Sequence, residues 1–218
     1  MDTPYSITEW KFIFPARPEK KIPPALLSFY EQLGWWGQVK KEGTCATIGV
    51  DPKGGVHAFT RHRDKPLHKA WSFTDETRKI ADFCPSGEWS VFGVELLHSK
   101  GPFARDTFYI WDLFGAASAF LVGKTFADRQ SRLTKMFPDP IGETDSHYVM
   151  TDKIWLAKPI VRDLEGAWER LKAAKSPEDE GIVLKNPLGE LEPLYREHNN
   201  SSWQVKCRLQ DKGKRIGF

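Results

Sequence analysis

Gln38-Val39-Lys40-Lys41-Glu42-Gly43-Thr44-Cys45 is the stretch on which the reading of this chain turns. Trp35 to Lys40 has the composition of a strand, Thr44 to Val50 reads as another, and Gly43 marks a bend between them. Asp51-Pro52-Lys53-Gly54-Gly55 is a strong turn signal, and Val56 to Arg61 returns from it. Residues 38–63 are therefore expected to form a β-hairpin unit. A lysine at a strand end can face a cleft, where it is a nucleophile only as the neutral amine. The reference pKa of a lysine is about 10.4, and lowering it by about three units takes roughly 4 kcal/mol of differential stabilisation. Neighbouring cations, a metal ion and partial burial supply that. Alone, K-x-[DE]-G is weak evidence, since average residue usage produces it in about one chain in ten of this size. The bland alternative is a solvated turn.

Outward from this stretch the pattern is mixed. Residues 1–22 read as extended, with Pro15 and Pro18 in the run and Pro23-Pro24 beyond it. Leu26, Leu27, Tyr30 and Leu33 have helical spacing in a helix from Ala25 to Leu33, ended by Gly34. Further helices are expected over Asp75–Phe83, Phe126–Met136 and Asp163–Lys175. Strands are expected over Trp89–Leu97, Thr107–Phe114, 151–160, Gly181–Lys185 and Ser202–Leu209. Residues 137–150, holding Pro138, Pro140 and Gly142, read as a loop, and residues 186–200 as a polar connection. The fold class is α+β with several antiparallel strands.

The 218 residues suit one domain with a sizeable core. A net charge of +3 and a pI near 8.7 are compatible with a nucleic-acid partner without requiring one. Three cysteines, an odd number without a CxxC pair, argue against a disulfide framework or a zinc site and for a reducing compartment. No apolar signal core or membrane-length run is present, so a cytoplasmic or otherwise intracellular location is expected. The six histidines have no HExxH-type spacing, and no P-loop or Rossmann glycine motif occurs.

Five further segments give the lysine its context. They are Phe59-Thr60-Arg61-His62-Arg63, Phe92-Gly93-Val94-Glu95-Leu96, Tyr109-Ile110-Trp111-Asp112-Leu113, Glu180-Gly181-Ile182-Val183-Leu184-Lys185 and Trp203-Gln204-Val205-Lys206-Cys207-Arg208. With Lys40-Lys41-Glu42-Gly43 ahead of them, they resemble, in order, the motifs of the ATP-dependent polynucleotide ligases and mRNA-capping guanylyltransferases, the covalent nucleotidyltransferases. The resemblance spans residues 38–208, and Phe14-Pro15-Ala16-Arg17-Pro18 is similar to the lead-in of many such ligases. Glu180 to Lys185 matches E-G-[IV]-V-x-K closely. The departures are Glu42 for the commoner Asp, Cys45 for a frequent Arg, Gly93-Val94 for Asp-Gly, and Arg208 for a Lys, which is not an equivalent exchange.

The resemblance implies a nucleotidyltransferase (ATP-grasp-like ligase catalytic) domain of antiparallel sheets with flanking helices and ATP in the groove between them. Lys40 would attack the α-phosphate of ATP, with Lys185 and Lys206 on that phosphate and Arg208 beside them. Gln38 would touch the adenine or be a polar strand residue. Glu42 would position the ribose or the turn itself. Arg61 would hold the ribose or a 5′-phosphate. Trp111 would stack on the base or serve as a core tryptophan. Glu95 and Glu180 would bind Mg²⁺ or Mn²⁺, and Asp112 would be a structural hydrogen-bonding residue. The implied activity is ligation of 5′-phosphate and 3′-OH ends, with the choice between nicked DNA and RNA open. Arg17 and its neighbours lean toward DNA ligases, and Gly43-Thr44-Cys45 resembles some RNA ligases. A GTP-using capping enzyme and a non-catalytic nucleic-acid-binding relic are the alternatives. The chain is expected to be a monomer and a single adenylation domain over residues 1–218, without the C-terminal OB fold of related enzymes and with a partner domain as one possible replacement for it.

Overall fold

The computed structural model describes residues 6–8, 15–60, 73–97, 104–193 and 200–209. Strand β1 (Arg17–Lys21) is followed by a 3-10 turn at Pro24–Leu26 and helix α1 (Leu27–Gln32). Strands β2 (Trp36–Lys41), β3 (Thr44–Val50) and β4 (Val56–Thr60) come next, then the short α2 (Asp75–Arg78) and a 3-10 turn at Lys79–Phe83. Strands β5 (Ser90–Leu97), β6 (Thr107–Ala116) and β7 (Ala119–Phe120) lead into α3 (Phe126–Met136). Strands β8 (Gly142–Glu143), β9 (His147–Thr151) and β10 (Ile154–Ala157) precede α4 (Leu164–Ala174), which is followed by β11 (Asp179–Lys185) and β12 (Asn200–Arg208).

Two sheets result, so the α+β class expected from the sequence is what the chain adopts. One has the order β1-β12-β11-β2; the other runs β4-β3-β5-β6-β10-β9-β8, with β7 paired to β6. Pairing is antiparallel except for β1 with β12 and β6 with β10. Each sheet has its own core. The larger holds Ile48, Phe92, Val94, Ile110, Leu113 and Phe126 among others. In the smaller, Val39, Ile182, Leu184, Val205 and Cys207 pack under α1 and α4 through Leu27, Leu164, Trp168 and Leu171. Glu31 of α1 ties this layer together: its carboxylate accepts from the backbone N–H of Asp163 (3.0 Å) and Leu164 (2.7 Å) at the start of α4, where an acid also favours the helix dipole.

The hairpin expected over residues 38–63 is corrected by this topology. Strands β3 and β4 do pair, from Val50↔Val56 to Ala46↔Thr60, but β2 belongs to the other sheet, where its neighbour is β11. The chain crosses between sheets at Glu42-Gly43. It passes so close to β5 there that a Cβ on Gly43 would run into the Leu96 carbonyl and meet Glu95 Cγ at 2.9 Å. Both edges of β3 are already taken, by β4 and β5, which leaves β2 no place beside it.

Three smaller expectations also change. The helix over Asp75–Phe83 is α-helical for one turn only, begun by a capping box between Thr74 and Thr77, and continues as 3-10. The loop over 137–150 contains β8 and the first residues of β9. The strand over 151–160 is shorter, since Thr151 ends β9 and β10 begins at Ile154. Among the described residues, no helix is long and apolar enough to cross a membrane.

Candidate active site

Alternation along three strands builds one wall of a cleft. On β2, β11 and β12 the alternate residues Val39, Ile182, Leu184, Val205 and Cys207 turn to the smaller core. Side chains on a strand alternate between faces, so Gln38 and Lys40, Val183 and Lys185, and Gln204, Lys206 and Arg208 share the other face. The register aligns them: Gln38 is opposite Val183, Lys40 opposite Gly181, Lys206 opposite Val183, and Gln204 opposite Lys185. All seven line a cleft of about 580 Å³. Its second wall comes from the larger sheet, with Glu95 on β5, Tyr109 and Trp111 on β6, Cys45 on β3 and Thr60 on β4.

Lys40 Nζ donates to the Glu180 carboxylate on the adjacent strand. Arg208 Nη2 stands 3.8 Å from the same Glu180 Oε2. Lys41, the next residue, pairs instead with Asp179 at 2.7 Å and lies over the Tyr109 and Trp155 rings. Tandem lysines thus have separate acidic partners, and only Lys40 shares its partner with the cleft arginine.

Lys185 is the most buried cation of the cleft, at 2% exposure. Its Nζ donates to Gln38 Oε1 (2.6 Å) and the Trp111 carbonyl (3.3 Å) and lies 4.8 Å and 4.5 Å from the centres of the Trp111 and Phe126 rings. Burial, together with the Arg129 guanidinium, takes its pKa down to about 7, against an upward pull from Asp112. Gln38 passes the bonding on: its Nε2 donates to Gln130 Oε1 (3.2 Å), and Gln130 Nε2 donates to the Trp111 carbonyl (3.2 Å). This closed ring of bonds joins β2, β11, β6 and α3 at the cleft floor. The Lys206 ammonium is held below the usual lysine range, first by burial and then by Arg208, Lys40 and Arg17, with Glu180 opposing.

Trp111 meets Phe114 edge-on at 5.5 Å and presents its remaining surface to the cleft. Gly93 packs beneath both rings, where a Cβ would lie 2.6 Å from Phe114 Cζ and 2.9 Å from Trp111. The small residue that departs from the expected motif is therefore the one the aromatic pair permits. Asp112 is fully buried and accepts from Arg129 Nε and Nη2, both at 2.9 Å. Arg129 lies between the faces of Phe126 and Trp203. Tyr109 donates its hydroxyl to the Val39 carbonyl at 2.9 Å, a bond from the larger sheet to the strand that carries Lys40.

Of the residues singled out in the sequence, Gln38, Lys40, Glu95, Trp111, Glu180, Lys185, Lys206 and Arg208 meet in the cleft. Glu42 does not line it; it sits at the crossover, where its N–H donates to the Glu178 carbonyl at 2.7 Å. Arg61 and Arg63 lie outside the described residues. Sequence reasoning quoted Arg17, Tyr109, Val183 and Gln204 within motifs without giving them a place in the site, and it missed Gln130. Period-two alternation from Lys185 and Lys206 would have found Val183 and Gln204; nothing local marked Gln130, which arrives from a helix 92 positions after Gln38.

The donor set fits a phosphate-bearing ligand. Gln204 is 2% exposed, and its Nε2 has no acceptor among the described residues. Burial without a partner is costly unless a ligand provides one. Glu95 and Glu180 are two carboxylates on facing walls, and the described residues hold no cluster of three side chains able to ligate a metal. Mg²⁺ accepts such a sparse set when phosphate oxygens and water complete its shell.

No family model and no curated protein matches the sequence. Solved structures do match in fold. Mycobacterial DNA ligase D complexed with ATP and MES superposes with a TM-score of 0.62 at 14% identity, over 93% of this chain and 62% of that one. The ligase domain of LigD from M. tuberculosis gives 0.62 at 14%, over 91% and 60%. The ATP-dependent DNA ligase from bacteriophage T7, in complex with ATP, gives 0.51 at 15%, over 91% and 68%. The chain has the fold of the catalytic domain of the ATP-dependent DNA ligases, and it spans about 60% of the length of the first two structures.

Proposed function

We propose that this chain is an ATP-dependent ligase that joins 5′-phosphate and 3′-OH ends of DNA or RNA through a covalent lysyl-AMP, with residues 1–218 acting as one adenylation domain. The observation that carries the reading is the meeting of Lys40 and Glu180 on a sheet face that also bears Lys185, Lys206 and Arg208, across the cleft from Trp111 and Glu95. The ligase fold supports it.

Lys40 attacks as the amine, and Glu180, already bonded to Nζ, is the group placed to take its proton. The Nζ–P bond to the α-phosphorus of ATP forms as the bond from that phosphorus to the bridging oxygen breaks, and pyrophosphate leaves. Lys206 and Lys185 offset the charge that grows on the non-bridging oxygens, which is most of what phosphoryl transfer requires of a protein. A phosphate also adds counter-charge beside both lysines, whose ammonium forms burial disfavours. Glu95 and Glu180 would hold Mg²⁺ or Mn²⁺, which adds positive charge at the phosphates. Trp111 stacks on the adenine, and Gln38 holds Lys185 beside it. An oxygen of a 5′-phosphate then attacks the adenylyl phosphorus and the P–N bond breaks. Finally a 3′-OH attacks the activated 5′-phosphorus and AMP leaves. Binding of the strands rests on phosphate contacts and weakens with salt.

Incubation with α-labelled ATP and Mg²⁺, beside a Lys40→Ala variant and a GTP control, tests this. Label from ATP on wild type that the variant lacks is the expected result, and nicked DNA and RNA then give the substrate. Label from GTP alone makes the chain a capping-type enzyme. No label from either nucleotide, after pyrophosphate has stripped any bound AMP, ends the catalytic reading.

A further inference from the structure

Strand β1 carries a cation into the cleft that the reaction above does not use. Arg17 begins β1, and Pro15 and Pro18 on either side restrict the backbone that carries it. The strand is anchored at both ends. Ala16 is buried in the larger core and Ile22 in the smaller, and the Ile22 N–H donates to the Lys206 carbonyl at 2.9 Å. Arg17 therefore bridges the two packed bodies at the rim of the cleft and lines it. Among the described residues no carboxylate pairs with it, and it disfavours the charge on Lys206.

The neighbouring strand supplies the complementary observation. Gln204, two residues before Lys206 on the same face of β12, is buried with its Nε2 unpaired among the described residues. A corner with two half-buried cations, Arg17 and Lys206, and a buried unsatisfied amide donor suits an acceptor-only, multiply charged group. The cleft as a whole has six basic side chains, Arg17, Lys40, Lys41, Lys185, Lys206 and Arg208, against Glu95 and Glu180.

We propose that Arg17 and Gln204 complete, with Lys206, a subsite for a phosphate group of two or more negative charges. The guanidinium supplies a fork matched to two phosphate oxygens, and the Gln204 amide supplies a neutral donor that fixes the third direction. Two sources have this chemistry: the pyrophosphate portion of ATP, and the terminal 5′-phosphate of a strand. The inference rests on the cleft being a nucleotidyl-transfer site, but its test does not need the covalent step.

The experiment is calorimetric titration of the unlabelled protein with inorganic pyrophosphate, and separately with a 5′-phosphorylated and a 5′-hydroxyl nicked duplex. Arg17→Ala is expected to weaken the phosphoanion by about tenfold or more, the scale of a lost charge-assisted hydrogen bond, and Arg17→Lys to recover part of it. Lys20→Ala, which removes one exposed charge from the same strand outside the cleft, is the control and leaves binding unchanged. Gln204→Leu separates a binding role from a structural one: it removes an unpaired buried donor, so Tm of the free protein rises while affinity falls. Loss confined to pyrophosphate assigns the subsite to ATP; loss confined to the 5′-phosphorylated duplex assigns it to the strand end. Wild-type affinity for both ligands in Arg17→Ala and Gln204→Leu overturns the proposal. Pyrophosphate binding that depends on Arg17 in a protein that takes no label on Lys40 would leave this subsite standing and remove the ligase reading instead.

Discussion

Lys40 and Glu180 meet one residue out of register: Lys40 lies opposite Gly181 across the β2–β11 pair, and its ammonium bonds to the carboxylate of the preceding residue. The pair therefore depends on both strands ending together at the cleft.

Glu180→Gln keeps the shape and a hydrogen-bond acceptor but removes the carboxylate proposed to take the Lys40 proton and to help hold the metal ion. The rate of Lys40 labelling in a single turnover is expected to fall by about a hundredfold or more, while the Kd for ATP changes far less. Labelling at the wild-type rate would mean that the proton leaves Lys40 by another route.

Lys185 makes stability depend on pH in a direction that can be worked out. Its pKa is about 7 in the folded protein and about 10.4 in an unfolded chain. Between these values the unfolded state binds more protons, so the folding penalty of this group, complete below pH 7, is relieved as pH rises toward 10. Lys185→Met removes the penalty. The stability of the variant relative to wild type is expected to be highest near pH 6 and to decline by pH 9.5, as measured by urea midpoints. Nucleotide binding at pH 8 should draw a proton onto wild-type Lys185, seen as a buffer-dependent heat in calorimetry that the variant lacks.

Asp112 and Arg129 form a two-bond ion pair with both side chains fully buried. Arg129→Met strands the carboxylate and is expected to cost about 3–5 kcal/mol in urea unfolding. Asp112→Leu in the same chain should recover most of this, because the lone buried charge, not the lost attraction, dominates the cost.

Gly93→Asp would restore the residue the ligase resemblance expects, yet its Cβ alone would lie within 2.9 Å of Trp111 and 2.6 Å of Phe114. Overpacking of this kind costs about 1–3 kcal/mol. The variant should show a lower Tm, and weaker ATP binding as Trp111 is displaced. A variant as stable as wild type would show that the aromatic pair can move aside freely.

Much of the site was legible because its residues sit in short segments that follow, in order, the motifs of the covalent nucleotidyltransferases. Phe126–Met136 was equally plain, with Thr125 accepting from the Asp128 N–H as its cap. What could not be read was which strands pair. Local composition makes Lys40 and Thr44 look like two arms of one turn, whereas the partners of β2 and β3 lie some 140 and 50 residues away, at β11 and β5. Strand β1 was hidden by its charge and proline content, which an edge strand tolerates and a central one does not. The Gln38–Gln130–Trp111–Lys185 ring was invisible for the same reason as the pairing: four elements contribute to it, and both Gln38 and Lys185 lie far in sequence from Trp111 and Gln130.

The two walls of the cleft rest on different cores and are tied to one another at the floor, by the Gln38–Gln130–Trp111–Lys185 ring and the Tyr109–Val39 bond. The strand that carries Lys40 is seated on the layer containing α1 and α4, the aromatic wall on the layer containing α3, and the crossover at Glu42-Gly43 threads from one to the other. A cavity made beneath α4, at Leu164 or Trp168, would detune Lys40 while sparing the base platform, and one beneath Phe92 or Ile110 would do the reverse. Under the proposed function, Lys40 and Trp111 are thus each open to adjustment from core positions that touch neither the nucleotide nor its phosphates.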